Sequence, residues 1–595
     1  MKGNNSTTEK SERLSDKSAL EKQWNSINWK QAEEYVNRLQ FRIAKATSEN
    51  KQNTVKRLQY LLTHSFYAKL LAVKRVTTNK GKRTAGVDGE LWKTAAEKMQ
   101  AALSLTGRHY KAKPLRRVYI EKKGKNKKRP LGIPTMYDRA MQALYALALD
   151  PIAETTADRR SFGFRKGRCC QDACEHLFQL LSRRNAAQWI LEGDIKGCFD
   201  HISHQWLLEN IPMDKSVLKQ FLKGGFIYSK QLFPTEEGTP LGGIISPILA
   251  NMTLDGMEAL LDREFHRTQK EMFKNKVNLV RYADDFVVTA ADRLTAERAK
   301  EVIRNFLKAR GLTLSEEKTL ITNIRDGFDM LGWNFRKYND KLIIKPSKKS
   351  VKAINEKLHE IILGKGKTWK QESLIVKLNQ TITGWTNYHQ SVCAAKTFSA
   401  IDHNIFELLW RWAKRRHPNK SKKWKVHRYW HSKGSRNWVF CTEKTELKEA
   451  AHTPIIRHVK IRASANPYLE PEYFKKRKFQ NGMRRLSGKF KTVWKNQKGI
   501  CPVCSKSIDL AEERRIHFKT PRKDGGTNAV DNMIYVHGDC LKHIHNVTAL
   551  WRDKILEPYE GKLSRTVLRR ESESNLDDLV DITYAIVQKK SSTME

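Results

Sequence analysis

Two short apolar runs flank an acidic pair near the middle of the chain. Residues 277–282 and 286–289 are rich in β-branched and aromatic side chains, a pattern typical of strands. Asp284 and Asp285 stand between the runs. We therefore expect both carboxylates at or beside the turn of a β-hairpin.

A second predicted strand brings a third carboxylate. Residues 188–195 form a strand-like run in which Asp194 lies at the end, and Phe199 follows five residues later. Three carboxylates held on strands suit a two-metal phosphoryl-transfer site, because Mg²⁺ prefers oxygen ligands and two ions clamp the attacking and leaving oxygens. In a palm of this kind the ring of Phe199 lies under the incoming sugar. The structural alternative is an ordinary turn, with Asp194 as a cap and Phe199 in the core.

The wider pattern divides the chain into blocks. Helical periodicity runs from Trp24 to about Val76, mixed strand and helix signals reach about Pro346, and mainly helical patterning follows from about 350 to 450. A basic segment and a Cys/His segment come next. We place the boundaries at 1–23 (a disordered tail), 24–346, 347–450, 451–495, 496–550 and 551–595 (a charged tail).

Charge points to a polyanionic partner. The 595 residues carry a net charge of +48, which is spread along the chain. Nucleic acid is the first candidate, and a membrane surface is the weaker one. No apolar run approaches the ~20 residues that span a bilayer, and residues 1–18 are polar and carry acids, unlike a signal peptide. Nine cysteines, mostly scattered, favour a reducing compartment.

Two basic segments are candidate nucleic-acid contacts. Residues 122–129 carry six basic side chains at the tip of a predicted hairpin. Residues 411–430 carry nine Lys or Arg, no acid and several aromatic residues. The alternative for the second segment is an amphipathic helix with a wet basic face and buried tryptophans. Both hold if Trp412 packs inward while the cations face RNA, and the candidate RNA-binding residues are Arg411, Lys414, Arg415 and Arg416.

A Cys/His pattern near the C-terminus predicts a zinc site. Cys501 and Cys504 form one pair with two intervening residues, and His537 and Cys540 form another, 32 residues further on. Three Cys and one His suit a closed tetrahedral Zn²⁺ site. A redox Cys-x-x-Cys motif is the alternative, but it would not need the second pair.

Together these segments resemble the reverse transcriptase–maturases encoded within mobile group II introns. The matching blocks are GVDG (86–89), RPLGIP (129–134), SFGFR (161–165), the Asp194 strand, GTPLGGIISP (238–247), YADD (282–285), GLTLSEEKT (311–319), LGW (331–333) and GWTNY (384–388). The resemblance implies an α+β, right-hand polymerase with fingers and palm built on antiparallel sheet (24–346), an α-helical maturase thumb (347–450), a basic DNA-binding connector (451–495) and a small ββα-type zinc module similar to HNH nucleases (496–550).

The resemblance also assigns roles in the polymerase site. Asp194, Asp284 and Asp285 would bind two Mg²⁺ ions, and Lys318 would protonate the pyrophosphate leaving group. The nucleotide-binding residues would be Lys122 and Arg129 at the triphosphate, Phe199 against a ribose 2′-hydroxyl, and Leu241. The family usually has Gln at the position of Leu241, and leucine cannot donate that hydrogen bond, so altered nucleotide packing or a slower polymerase is expected.

The HNH-like module departs from its family pattern. His517, Asn532 and His545 remain at expected positions, but Phe518 replaces the expected general base and Leu541 replaces an expected metal ligand. Neither side chain takes a proton or binds a metal. We expect one structural Zn²⁺ and DNA binding, with weak or absent strand cleavage.

The expected function is an RNA-directed DNA polymerase that copies intron RNA into DNA at a target site and assists splicing of its own intron. Its partners would be group II intron RNA, target DNA and dNTPs, without a membrane, in a bacterial cytoplasm at the nucleoid or as an organelle-encoded protein. A splicing-only maturase with a decayed polymerase is the alternative; Leu241 favours it, while the three carboxylates and Lys318 oppose it. A reverse transcriptase outside introns is opposed by the thumb and the zinc module.

Overall fold

The computed structural model describes residues 16–121, 128–229, 231–240, 242–486, 488–508, 514–521, 524–541 and 544. Lys122, Leu241 and His545 lie outside these described residues, as does the side chain of Arg129. Most of the two predicted tails also lies outside them.

The N-terminal part consists of packed helices and a β-hairpin. Its elements are α1 (16–25), α2 (Trp29–Ser48), α3 (Gln52–His64), α4 (Phe66–Thr78), a 3-10 turn (Lys80–Arg83), α5 (Ala95–Ser104), β1 (Leu115–Glu121), β2 (Lys128–Ile133) and α6 (Met136–Thr156). The expectation that residues 1–23 are disordered is wrong from residue 16 onward. Leu20 and Trp24, the apolar residues of α1, pack against the first core. The antiparallel pairing of β1 with β2 confirms the hairpin predicted around the basic tip.

The central part contains two four-stranded sheets. Its elements are α7 (Cys170–Leu181), β3 (Trp189–Gly193), α8 (Cys198–His201), α9 (His204–Asn210), α10 (Lys215–Lys223), β4 (Phe226–Tyr228), β5 (Gln231–Phe233), α11 (Ser246–Leu254), α12 (Met257–Phe265), α13 (Gln269–Asn275), β6 (Asn278–Tyr282), β7 (Asp285–Ala290), α14 (Arg293–Lys308) and β8 (Leu320–Asn323). The sheet orders are β2-β1-β4-β5 and β6-β7-β3-β8. The second sheet is antiparallel, as predicted, whereas β1 and β4 of the first sheet run parallel.

The second sheet, which we call the palm sheet, separates two hydrophobic cores. Side chains alternate across a strand, so Leu191 and Val288 face the core that contains α14. Ile190 and Val287 face the opposite core, which contains α7. Burial on both faces fixes the strand register, because a shift of one residue would exchange the two faces.

A third sheet and a helical thumb follow. The elements are β9 (Phe328–Met330), β10 (Trp333–Tyr338), β11 (Lys341–Pro346), α15 (Lys348–His359), a π turn (Glu360–Gly364), a 3-10 turn (Lys365–Thr368), α16 (Gln371–His389), α17 (Ala395–Arg416), α18 (Lys422–Tyr429), β12 (Trp430–Lys433) and β13 (Arg436–Phe440). The helical prediction for 350–450 holds as far as Tyr429, after which a hairpin forms. Trp333 stacks on Tyr388 at a centroid distance of 4.7 Å, which joins the third sheet to the thumb.

The predicted connector folds back onto the palm. Residues 451–470 contain no helix or strand, and α19 (Pro471–Arg485) and α20 (Gly488–Asn496) follow. Arg477 forms an ion pair with the buried Asp172 near the start of α7, and the His458 Nε2 atom lies 3.0 Å from the same carboxylate. The connector is therefore anchored to the palm rather than free.

The C-terminal module is a hairpin followed by a helical turn. β14 (Arg514–Phe518) pairs antiparallel with β15 (Met533–His537), a 3-10 turn (Val530–Asn532) precedes β15, and residues 538–541 are helical. A zinc-bound ββα-type module stays a prediction for this segment. Among the described helices, none combines the length and apolar character needed to cross a bilayer.

Candidate functional site

Strand register brings the three predicted carboxylates to one edge of the palm sheet. Tyr282 pairs with Asp285 across a two-residue turn that contains Asp284, as the sequence predicted. Gly193 pairs with Phe286 on the neighbouring strand, so Asp194, the next residue of the chain, lies beside Asp285. The aromatic residue before the acidic pair thus closes the hairpin, and the acids occupy its tip.

Like charge accumulates at this edge. Partial burial, followed by repulsion from Asp284 and Asp194, raises the pKa of Asp285 to about 6. The side chain nevertheless keeps access to solvent. A sheet edge that crowds carboxylates and leaves them open to solvent is electrostatically suited to cations.

Lys318 lies in the same cluster. Its ammonium group is 2.5 Å from the Asp194 carboxylate. The chain around it is aligned by backbone hydrogen bonds: the Ser315 amide donates to the Asp194 carbonyl at 2.8 Å, and the Lys196 amide donates to the Thr313 carbonyl at 3.0 Å.

Among the described residues, the three palm carboxylates do not all approach within 4.8 Å of one another.

Arg281 holds the turn of the acidic hairpin in place through buried contacts. The sequence analysis did not predict this role. Its side chain is fully buried and forms an ion pair with Asp255. It also donates to the Asn251 side chain at 3.1 Å and to the carbonyl of Ala283, inside the turn, at 3.3 Å. The available signal was a lone cation within an apolar strand, but its acidic partner could not be identified from the sequence.

The SFGFR block packs against the same turn. A Cβ atom on Gly163 would lie 2.3 Å from the Ala283 amide nitrogen, so only glycine permits this approach. The next residue, Phe164, has a φ of 58° and is 56% exposed. Left-handed backbone is unusual for an aromatic residue and is found at sites under structural constraint.

Phe199 lies beside a cavity between the palm and the first sheet. Its ring meets that of Phe164 edge-to-face at 6.3 Å. Its carbonyl accepts a hydrogen bond from the Thr239 amide at 2.6 Å, which holds the GTPLGG segment against it. The cavity has a volume of about 360 Å³ and is lined by Phe199, by residues 234–240 and by Arg117 and Pro130 of the hairpin. The segment with Phe199, the GTPLGGIISP segment and the RPLGIP segment therefore lie around one cavity. In the sequence, only the family resemblance connected them.

The predicted zinc ligands converge. The sulfur atoms of Cys501, Cys504 and Cys540 and one ring nitrogen of His537 all lie within 4.8 Å of one another. His537 Nδ1 is 3.4 Å from the Cys504 sulfur and 3.8 Å from the Cys540 sulfur. A hydrogen bond with Cys504 lowers the pKa of Cys501, which favours a thiolate. Soft sulfur and imidazole donors at this spacing fit a four-coordinate zinc ion.

Asn532, a predicted HNH residue, is engaged within the module. Its side chain accepts a hydrogen bond from the Thr520 amide at 2.8 Å. The same side chain donates to the carbonyls of Thr520 and Thr527 at 3.0 and 2.8 Å. It therefore shapes the loop after β14. His517 pairs with Ile534, and Phe518 pairs with Met533.

At the basic end of α17, a tryptophan packs inward while the cations face solvent. Trp412 is buried and donates from its indole nitrogen to the Gly366 carbonyl at 2.9 Å. The predicted RNA-binding residues are exposed: Arg411, Lys414, Arg415 and Arg416. The last of them also donates to the Trp369 carbonyl at 2.9 Å.

Comparison with known proteins matches these regions. A family model described as reverse transcriptase (RNA-dependent DNA polymerase) covers residues 120–335, one for the N-terminal domain of reverse transcriptase covers 24–105, and one for the maturase-specific domain of group II introns covers 351–430. The chain belongs to the family of group II intron-encoded reverse transcriptase–maturases. The predicted family is confirmed, and the three matches end before the Cys/His segment for which a zinc module is predicted.

Relatives of this reverse transcriptase–maturase differ in how much of their length it covers. The group II intron-encoded protein LtrA of Lactococcus lactis subsp. cremoris is 31% identical over 388 residues, which are 54% of this chain and 63% of LtrA. Protein YkfC of Escherichia coli is 29% identical over 335 residues, 50% of this chain and 87% of YkfC. The chain thus spans less than two thirds of LtrA. The solved telomerase structure from Candida albicans matches with a TM-score of 0.32 at 10% identity, over 55% of this chain and 65% of that one.

Proposed function

We propose that this protein is an RNA-directed DNA polymerase that copies group II intron RNA into DNA at a target site and assists the splicing of its own intron. The observation that carries the proposal is the register of the palm sheet, which sets Asp194 beside the acidic pair of the hairpin. This geometry lies within the part of the chain that matches the reverse transcriptase family.

The donor set fits magnesium. Asp194, Asp284 and Asp285 offer hard oxygen ligands, the donors that Mg²⁺ prefers. Partial burial, followed by repulsion from Asp284 and Asp194, raises the pKa of Asp285, and a bound cation would stabilise its ionised form. Two Mg²⁺ ions held there would neutralise charge on the attacking and leaving oxygens. Lys318, which contacts Asp194, holds a proton at the edge of this site and can deliver it to the departing pyrophosphate.

Nucleotide selection would depend on the cavity beside Phe199. The ring of Phe199 would exclude a ribose 2′-hydroxyl, while Lys122 and Arg129 of the basic hairpin would neutralise the triphosphate. Leu241 follows the segment that contacts Phe199 and lacks the amide usual at its position. Leu241→Gln should therefore raise kcat/KM for dNTPs in single-nucleotide extension; an unchanged or lower value would show that leucine is not the limiting feature.

Primer extension on poly(rA)/oligo(dT) tests the polymerase. Asp285→Asn should reduce extension by more than about 100-fold, equivalent to about 2.7 kcal/mol of transition-state stabilisation. Asp340→Asn is the matched control, because it removes an exposed carboxylate that pairs with Arg184 on the surface. Equal activity of the two variants would remove the palm carboxylates from the mechanism.

Splicing is tested separately with the flanking intron RNA at low Mg²⁺, with spliced RNA and cDNA measured together. The proposal expects both products from the natural protein and only spliced RNA from Asp285→Asn. Spliced RNA without cDNA from the natural protein would instead support the splicing-only alternative.

We propose that the zinc module binds DNA without efficient cleavage. Cys501, Cys504, His537 and Cys540 would hold one structural Zn²⁺, while Phe518 leaves the module without the expected base. A nicking assay on intact target DNA with Mg²⁺ or Mn²⁺ should show little cleavage. Strong cleavage that is lost in His545→Ala would contradict the proposal.

A further inference from the structure

An aromatic groove on the thumb is separate from the palm site. It has a volume of about 660 Å³ and lies between α17, α18 and the β12–β13 hairpin. Its aromatic lining consists of Phe406, Trp410, Trp430 and Trp438. Phe406 lies 5.9 Å from Trp430 and 6.3 Å from Trp438 between ring centroids. The groove is therefore large enough for a nucleotide. Trp438 exposes its ring, whereas Phe406 and Trp410 are half-buried and Trp430 is buried.

Backbone irregularity directs Trp438 at this groove. His431 pairs with Val439 and Lys433 pairs with Arg436, so one strand has an extra residue and forms a β-bulge. Trp438 lies in the bulge with a φ of 59° and is 55% exposed. Bulges redirect side chains, and an exposed tryptophan with left-handed backbone indicates a constraint other than core packing.

The groove is held in place by the thumb before any ligand binds. Arg436, at the start of β13, forms ion pairs with Glu449 at 3.1 Å and Glu446 at 3.5 Å. Gln371 of α16 donates to the carbonyls of Tyr429 and Cys441 on both sides of the hairpin, each at 3.0 Å. A preformed groove reduces the entropy lost on binding.

The rim is cationic. Lys422 and Lys423 carry its positive charge, His427 and His431 also line the groove, and Glu407 is the acid among its described lining residues. Lysines beside exposed aromatic faces match a nucleotide, since cations neutralise its phosphate while the rings stack on its base. A protein ligand would have to bring its own acidic groups to the same rim, whereas RNA carries one at every nucleotide.

We propose that this groove binds an unpaired, extrahelical nucleotide of RNA, with the base stacked on Trp438 and the adjoining phosphates at Lys422 and Lys423. The inference rests on the proposed RNA-binding function and deepens it, because it names the structural feature of RNA that the thumb selects. Paired RNA cannot enter the groove, since its bases are already stacked within the helix.

The test uses the full-length protein and three labelled RNA hairpins: one fully paired, one with a single unpaired uridine, and one with an abasic site at that position. Fluorescence anisotropy should give a Kd at least about fivefold lower for the uridine bulge than for the other two, the lower limit of what stacking of one base contributes. Equal affinity for all three would overturn the proposal and favour a protein ligand for the groove.

Two variants separate stacking from charge. Trp438→Ala should abolish the preference for the bulge and leave the affinity for paired RNA within about twofold. Tyr338→Ala is the control, because Tyr338 is an exposed aromatic residue outside the groove lining and outside the basic segment 411–430, 38% accessible and in contact with Arg336. Retention of the preference in Trp438→Ala, or its loss in both variants, would refute the assignment.

Two further measurements test phosphate contact at the rim of the groove and polymerase activity. Replacement of both Lys422 and Lys423 by alanine should weaken all three RNAs and reduce the slope of log Kd against log salt by about 1–2; an unchanged slope would count against phosphate contact at the rim. Primer extension on poly(rA)/oligo(dT) is measured in parallel. Normal extension without a bulge preference would reject the groove assignment while leaving the polymerase proposal in place.

Discussion

Arg281→Met is predicted to destabilise the palm by about 3–5 kcal/mol, the cost typical of leaving one partner of a buried ion pair uncompensated. The Arg281 side chain is 0% exposed, and that of Asp255 is 9% exposed. Methionine preserves much of the apolar volume, so the loss reports on charge rather than on a cavity. The hydrogen bond to the Ala283 carbonyl is lost as well, so primer extension should also fall.

A double variant isolates the electrostatic part. Asp255→Asn removes the charge but keeps an oxygen that can accept from the Asp158 amide, now at 3.2 Å. When added to Arg281→Met, it should restore about 2 kcal/mol of the lost stability, within the range of coupling between contacting residues. No restoration would mean that the uncompensated charge is not the cause.

The sign of the pH dependence is fixed by Asp255. Burial raises its pKa to about 7, although Arg281 opposes the rise. A folded-state pKa above the unfolded value makes the folded form less stable as pH rises, by about 1.4 kcal/mol per unit, until the folded pKa is passed. Without Arg281 that pKa rises further. The deficit of Arg281→Met should therefore be about 2 kcal/mol larger at pH 8.5 than at pH 6.5.

Hydrogen exchange of the β6 and β7 amides is the appropriate assay, because it gives a local free energy of opening in a chain with several cores. Arg304→Met serves as the control: Arg304 pairs with Glu316 at 2.8 Å on the surface, so its loss should cost less than about 1 kcal/mol. The reasoning is refuted if the two variants are equally stable, or if the Arg281→Met deficit is larger at the lower pH.

Four further substitutions test other parts of the structure. Gly163→Ala should abolish primer extension, because its Cβ would displace Ala283. In the control Gly384→Ala the new Cβ meets nothing within 4 Å, and this variant should stabilise α16 by up to about 1 kcal/mol. Equal primer extension by the two variants would contradict the role of Gly163. Cys540→Ser should lower bound zinc, measured by metal analysis, from one ion per chain and leave primer extension unchanged; full retention of zinc would exclude it as a ligand. Asp172→Asn should expose residues 451–470 to protease. Burial alone would raise the pKa of this carboxyl, but His458 and Arg477 lower it overall, so this anchoring is present above about pH 4 and weakens as pH falls; unchanged proteolysis would refute the anchoring role.

The palm was predictable because its signals are local. A two-residue turn between apolar strands is encoded within residues 277–289, and the strand before Asp194 has its own apolar pattern. The convergence of the Cys/His cluster was equally accessible from the sequence, since two x₂-spaced pairs specify it. What no local pattern contains is a partner far along the chain, such as Asp255 for Arg281.

The connector, residues 451–495, also has a partner far along the chain that the sequence did not reveal. The resemblance implied that this segment binds DNA, and within it Arg477 belongs to a buried cluster with Asp172, 305 residues away. Lys475 and Lys476 in the same helix are exposed, and DNA binding by the connector stays a prediction. The tail prediction failed at residues 16–23 for a related reason: Leu20 is too isolated among polar residues to signal a helix that packs on the core.

The contacts of Arg281 and Gly163 with the acidic hairpin bear on whether this protein is an active polymerase or a splicing-only maturase. The three carboxylates can persist in a sequence whose hairpin is no longer held in position, because their placement depends on Arg281 below the turn and on Gly163 beside it. Loss of either support would inactivate the palm without altering YADD. In this chain both supports contact the turn, at 3.3 Å from Arg281 to the Ala283 carbonyl and through the close approach at Gly163. The support of the acidic hairpin therefore argues for retained polymerase activity more strongly than the motif does by itself, and Leu241 is left as a feature that bears on rate.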